Sequence, residues 1–257
     1  MLGLFLAELR RSWILFRRYL LESIGKIFIS TCFFYALFLS ASYIGGSSFQ
    51  LGDRLDSIVI GYVLLNLITF VLANIAGRLQ YEASTGTLEQ LFLSRYGAVK
   101  VFLMRAFADL TIELITIFTI LTIIIFLTGS RLNFPPELFL PFISVILGAY
   151  GFAFIMGAIS LLFKRVQQIL SIVQFPLLFL LITPTETWTG NAKVLTQLLP
   201  MTVGAGLLRD LMARGQALNL TKLAIAFVNG GLYFCLGLFL FKIAEREAKR
   251  RGILSGY

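Results

Sequence analysis

The chain has 257 residues, 58% of them hydrophobic and only 14% charged, with a mean hydropathy of +0.88 and a net charge of +9. A soluble domain of ordinary composition is far less apolar, so the chain reads as an all-α integral membrane protein. Its basic residues fall in short clusters between apolar runs rather than on one solvated face, which argues against a nucleic-acid partner. Histidine is absent, which removes the usual general base and the commonest metal ligand, and Cys32 and Cys235 lie inside apolar runs, where cysteine acts as a small hydrophobe.

At the N-terminus Leu2, Phe5, Leu6, Leu9, Trp13, Phe16 and Leu20 recur at steps of three or four, with Glu8, Arg11, Arg18 and Glu22 on the other side. The pattern predicts an amphipathic helix within an interfacial segment 1–26, its arginines near anionic head groups. The rival reading is a signal peptide, with apolar 27–39 followed by Ser40, Ala41 and Ser42; the long amphipathic stretch before it argues against this.

Six runs approach the ~20 residues that cross a ~30 Å hydrocarbon layer: 27–44, 57–77, 106–128, 138–162, 166–183 and 221–241. The fifth carries Gln167, Gln168, Gln174 and Pro176 and is expected to face something other than lipid. Of the 22 Lys and Arg, 16 lie in the N-terminal segment, the 78–105 connection, the 164–165 turn and the C-terminal tail, and 6 in the other connections. That asymmetry predicts a multi-pass protein of the cell membrane with both termini cytoplasmic.

Several polar residues in the apolar runs admit two readings. Arg105, Asp109 and Glu113 are spaced by four and share one helical face. They form either a carboxylate relay for a coupling ion or an Arg105–Asp109 pair with Glu113 contacting another span or the interfacial helix; Lys100 and Arg105, which place this turn near the head groups, favour the second. Asn66 and Asn74 in the second run, with Gln167, Gln168 and Gln174 in the fifth, either line a polar path or join helices by hydrogen bonds worth ~1 kcal/mol or less. Gly148, Ala149, Ala153 and Gly157 give the small-x-x-x-small spacing of close helix packing.

The stretch YEASTGTLEQLFLSR, 81–95, lies between two of these runs. Thr87 and Gln90 make a capping-box pattern, Gly86 permits a tight turn, Glu89 suits the positive end of a helix, and Leu88, Leu91 and Phe92 share a face. The residues alone describe a short helix at the membrane's inner edge, either a surface element or a docking element.

Glu82 with Gly86-Thr87-Leu88-Glu89-Gln90-Leu91 resembles the E-x-x-x-G-T-L-E-Q-L signature of ABC type-2 exporter permeases, the membrane subunits related to drug-resistance and polysaccharide-export permeases. The resemblance extends over the whole chain, and in the long outer segment 184–220 Gln197-Leu198-Leu199-Pro200 and Gly206-Leu207-Leu208-Arg209 are similar to the family's proline-containing pair of re-entrant helices. Ser94-Arg95-Tyr96 departs from it, standing where relatives often have a small residue followed by proline. The resemblance implies that 82–93 is a coupling helix, with Glu82, Gly86, Thr87, Leu88, Glu89, Gln90, Leu91 and Phe92 seated on a separate ABC ATPase subunit that carries ATP and Mg. It also implies two permease chains, identical or not, and a pathway bordered by the second and fifth spans. The chain itself holds no G-x-x-x-x-G-K-[ST] phosphate loop, so catalysis and cofactors are expected elsewhere. The expected function is export of an amphipathic or lipid-linked substrate by alternating access. The alternatives are an ion-coupled transporter using Asp109 and Glu113, and a membrane scaffold that transports nothing.

Overall fold

A backbone in hydrocarbon has no water to bond, so each apolar run closes its hydrogen bonds within itself as a helix. The computed structural model describes residues 2–45, 51–85, 98–162, 166–188 and 190–250, and among them the regular elements are all helical. In chain order they are α1 (Leu2–Arg18), α2 (Leu20–Gly45), α3 (Leu51–Leu72), a π-turn (Ala73–Gly77), α4 (Arg78–Ser84), α5 (Ala98–Thr128), α6 (Phe139–Leu162), α7 (Val166–Ile182), α8 (Asn191–Leu198), α9 (Thr202–Met212) and α10 (Leu220–Arg250). Short 3₁₀ turns at Pro136–Leu138 and Thr185–Thr187 lead into α6 and toward α8.

Five stretches of these residues are long and apolar enough to cross a membrane: Leu20–Ser40, Leu55–Glu82, Lys100–Thr128, Pro136–Leu162 and Leu220–Arg250. The expected fifth run is the shorter one. Helix α7 has 17 residues, which at 1.5 Å per residue reaches about 26 Å, just under the hydrocarbon thickness. It also carries Pro176 in its interior, where a ladder hydrogen bond is lost. The second and third runs are longer than hydropathy indicated. The π-turn lets α3 continue into α4, and α5 is already helical at Ala98, before the apolar run, with Arg105 just ahead of the run and Asp109 within it both held by partners.

Burial separates the helices. In the most apolar window of α3, 61% of residues are buried, against 6% in that of α2, so α3 is central and α2 presents nearly all its sides outward. The core runs through Ile68, Leu72 and Ile75 to Leu79, and closes at one end around Phe154, Phe241 and Phe102.

Helices α6 and α10 meet backbone to backbone. A Cβ on Gly151 would lie 2.3 Å from the Tyr233 carbonyl carbon, and one on Gly237 would lie 2.1 Å from the Gly151 oxygen, so no larger residue fits either position. Gly148 belongs to the same seam, facing Gly230 and the Met201 side chain, whereas Gly157 packs toward Leu79, Ile75 and Phe241. The small-residue spacing in the sequence thus marked the right helix while passing over Gly151, its tightest point.

The segment between α7 and α10 folds as two short helices joined at Pro200 and Met201, the latter in the left-handed region at φ 66°. Asn229 of α10 donates to the Gln197 carbonyl at 2.8 Å, and Tyr233 donates to that of Leu198 at 3.0 Å, which satisfies carbonyls left free where α8 ends.

Candidate functional site

Residues four apart on a helix stack along one face, and α5 uses this to carry Arg105, Asp109 and Glu113 in a row beneath α1. Arg105 joins three elements. Its Nη1 donates to Glu82 Oε1 on α4 at 3.0 Å, while Nε and Nη2 donate to the two Glu8 oxygens on α1 at 3.3 and 3.4 Å. Asp109 accepts from Ser12 Oγ on α1 and from Asn74 Nδ2 in the π-turn at 3.0 Å, and pairs with Arg78 Nη2 on α4 at 2.7 Å. Glu113 takes Lys26 Nζ of α2, which also lies 5.1 Å over the Phe70 ring. Each carboxylate of the row is thereby matched by a cation, as low-dielectric surroundings require.

Two expectations change here. The Arg105–Asp109 pair is replaced by contacts across helices: the guanidinium fork finds two carboxylates in reach, and Asp109 finds Arg78. Glu8, assigned by periodicity to the solvated side of α1, faces α5 instead, with its side chain 12% exposed. The apolar residues Leu6, Trp13 and Ile14 stay exposed at 53%, 41% and 53%, so α1 meets the bundle through a polar seam and keeps an apolar face outside it.

The other sequence-selected residues are placed as follows. Asn66 accepts from Ser30 Oγ at 3.2 Å and donates to the Tyr62 carbonyl at 3.0 Å, and so links α2 to α3. Asn74 is spent on Asp109. Gln174 is half-buried on α7, which crosses α3 where Gly61 admits the Leu181 carbonyl, 2.2 Å from where a Cβ would be. The side chain of Gln167 and the residues Gly86, Thr87, Leu88, Glu89, Gln90, Leu91 and Phe92 lie outside the described residues. Glu82 is the last described charged residue before them, and it is the one held by Arg105.

Sequence reasoning missed the partners Glu8, Ser12, Lys26 and Arg78, because nothing in their spacing points to α5. It also missed a second cluster at the opposite end of the bundle. Arg209 is fully buried in α9, where Nη1 donates to Glu186 at 2.9 Å, Nε to the Ser57 carbonyl of α3 at 3.4 Å, and Nη2 to the Leu181 carbonyl ending α7. Burial pulls its guanidinium below the usual range, and the Glu186 carboxylate beside it pulls the other way. Arg214 takes the second Glu186 oxygen at 3.0 Å, and Lys222 takes Asp210 at 2.9 Å. One buried cation thus ties α9 to the ends of α3 and α7.

The family described as ABC-2 type transporter matches residues 3–213, which takes in the whole row on α5 with its partners and, of the second cluster, Arg209, Glu186 and Asp210 but not Arg214 and Lys222. The chain belongs to that family. None of the curated proteins compared with it matches. The permease is therefore a multi-pass membrane subunit of an ABC transporter, and it is not by itself an enzyme. Its α10 lies beyond the matched residues.

Proposed function

We propose that the permease exports an amphipathic or lipid-linked substrate by alternating access, driven by an ATPase subunit that binds ATP and Mg and seats on residues 82–93. A second permease chain completes the pathway, and both termini face the cytoplasm of the cell. The observation that carries this reading is the Glu82–Arg105–Glu8 triad. Arg105 fixes the root of the docking segment to the third span and to the interfacial helix at once, so a displacement of that segment reaches both through charge-assisted hydrogen bonds.

Ion coupling has less support. Asp109 and Glu113 are both engaged by cations, and a relay carboxylate needs a free state to take up its ion. An apolar substrate is supported by a groove of ≈ 380 Å³ between α3, α5, α6 and α9, lined by Ile60, Leu64, Phe118, Phe139, Leu208 and Met212.

Coexpression with the ATPase and pull-down, normalised to permease level, tests the reading. Truncating a buried interfacial Leu or Phe costs ~2 kcal/mol or more at a hot spot, against ~1 kcal/mol for a helix cap. Leu88→Ala and Phe92→Ala are therefore expected to lower ATPase recovery and uncouple its activity, and Thr87→Ala to do so weakly. Undiminished recovery with Leu88, Leu91 and Phe92 all changed to Ala would refute docking at 82–93. Transport that collapses with an ionophore at constant ATP would favour the ion-coupled alternative.

A further inference from the structure

Between Lys222 and Lys242 helix α10 carries no charged residue, and these twenty positions rise about 30 Å, the thickness of the hydrocarbon. Lys222 is held by Asp210 at the outer end of that span, so Lys242 arrives where the hydrocarbon stops at the other. The helix continues without a break to Arg250. One side of it stays packed on the bundle through Phe241, Ala244 and Ala248, exposed by only 0%, 2% and 0%. At 100° per residue Lys242, Arg246 and Lys249 fall within an arc of about 60° on a different side. Phe239 and Ile243, 62% and 49% exposed, lie beside them on the hydrocarbon side. These five residues and Glu245 line an open indentation of ≈ 450 Å³. Glu245 holds Lys249 at 2.8 Å, which leaves the indentation an excess of two positive charges.

We propose that this indentation binds one anionic phospholipid of the inner leaflet, its phosphate between Lys242, Arg246 and Lys249 and its chains along Phe239 and Ile243. The packed opposite face fixes the cations before the ligand arrives, which lowers the cost of ordering them. A free phosphate would satisfy the cations and leave the two apolar side chains without a partner; a phospholipid satisfies both at the depth where they meet. The proposal rests on the reading of the chain as a membrane-spanning permease with its C-terminus inside.

The test uses the full-length permease in nanodiscs of phosphatidylcholine with increasing phosphatidylglycerol, read by native mass spectrometry and unfolding temperature. One phosphatidylglycerol per chain should be retained saturably and raise the unfolding temperature, with phosphatidylcholine and inorganic phosphate doing neither. Each of K242Q, R246Q and K249Q should weaken retention about fivefold, the worth of one basic residue near a charged lipid surface. E245Q, which removes the negative charge beside Lys249, should strengthen it. The control R10Q/R17Q/R18Q on α1 should retain the lipid at this site, which separates a bound lipid from diffuse attraction. Equal retention by the triple variant K242Q/R246Q/K249Q, equal stabilisation by phosphatidylcholine, full competition by inorganic phosphate, or equal loss in the α1 control would overturn the proposal. Orientation is read separately by labelling Lys249→Cys in intact cells. Labelling from outside would refute the inside-facing C-terminus and leave the nanodisc result standing, since a nanodisc offers both leaflets alike.

Discussion

Helix α10 meets α6 through glycines, whereas α1 meets α5 through ions, and the two contacts respond differently to force. Along the first, backbone touches backbone at Gly151 and Gly237, and a shift of even 1 Å meets hard atoms. Along the second, long side chains such as Arg105 and Glu8 span the gap, and their ends can follow a moving partner while keeping charge opposed to charge. The first is built as a strut and the second as a link. The proposed alternation between two shapes would use both, and the link reaches Glu82, where the proposed docking segment starts.

The largest effect is expected at the strut. Gly237→Leu drives a side chain into the α6 backbone and should cost more than the ~3 kcal/mol usual for overpacking, seen as loss of monodisperse protein in size-exclusion chromatography. Recovery of normal yield would mean that the helices separate easily and that the seam is no strut.

Arg105→Ala comes next, because it removes the one cation that Glu8 and Glu82 share and leaves Glu8 only Arg11 on its own helix. Breaking such a pair costs ~3–5 kcal/mol when fully buried, and less at 12% exposure. The expected outcome is a permease that still inserts, unfolds at lower temperature and no longer transmits ATPase activity to transport. Arg105→Lys should restore part of the stability and little of the coupling, since an ammonium cannot fork to two carboxylates. Full coupling in Arg105→Ala would dismiss the triad as a link.

Lys26→Gln should do much less. The Lys26 side chain is 41% exposed though Glu113 is only 10% exposed, and a glutamine can still donate to that carboxylate, so the loss should be smaller, ~1 kcal/mol in thermal unfolding. A loss as large as that of Arg105→Ala would show that the row on α5 acts as one unit rather than as graded contacts.

Gly231→Ala sharpens the comparison from the other side. Gly231 is on the strut helix, with nothing within 4 Å of where its Cβ would be. Alanine there should leave stability unchanged or raise it by up to ~1 kcal/mol through helix propensity. A loss comparable to Gly237→Leu would place the seam on the wrong face of α10.

Much of this architecture is legible in the residues themselves. Apolar run length identifies the spans because hydrocarbon accepts only closed backbone hydrogen bonds, and that rule needs no neighbour. The fifth run was legible as exceptional from Pro176 and its glutamines, and the two short helices around Pro200 were implied by the family resemblance. Periodicity placed α1 and its apolar face, yet it put Glu8 on the wrong side. A hydropathy scale assigns a carboxylate to water regardless of whether an arginine waits beneath it.

What only the tertiary structure decided is the pairing of charges. Spacing by four put Arg105, Asp109 and Glu113 on one face, which is a local property of the helix. The choice among Glu8, Glu82, Arg78 and Lys26 as their partners depends on how α1, α2 and α4 lie against α5. Ion pairing depends on distances of a few ångströms between residues up to 97 positions apart in the chain, and a helix pattern carries no record of those distances. The same holds for Arg209, an ordinary cation in the sequence and a fully buried tie between α3, α7 and α9 in the fold. The sequence by itself determined which segments are helical and in the membrane, because that follows from each segment's own composition. Which of their polar residues meet across helices was settled only by packing, because a charge acts through its nearest opposite charge and chain order does not name it.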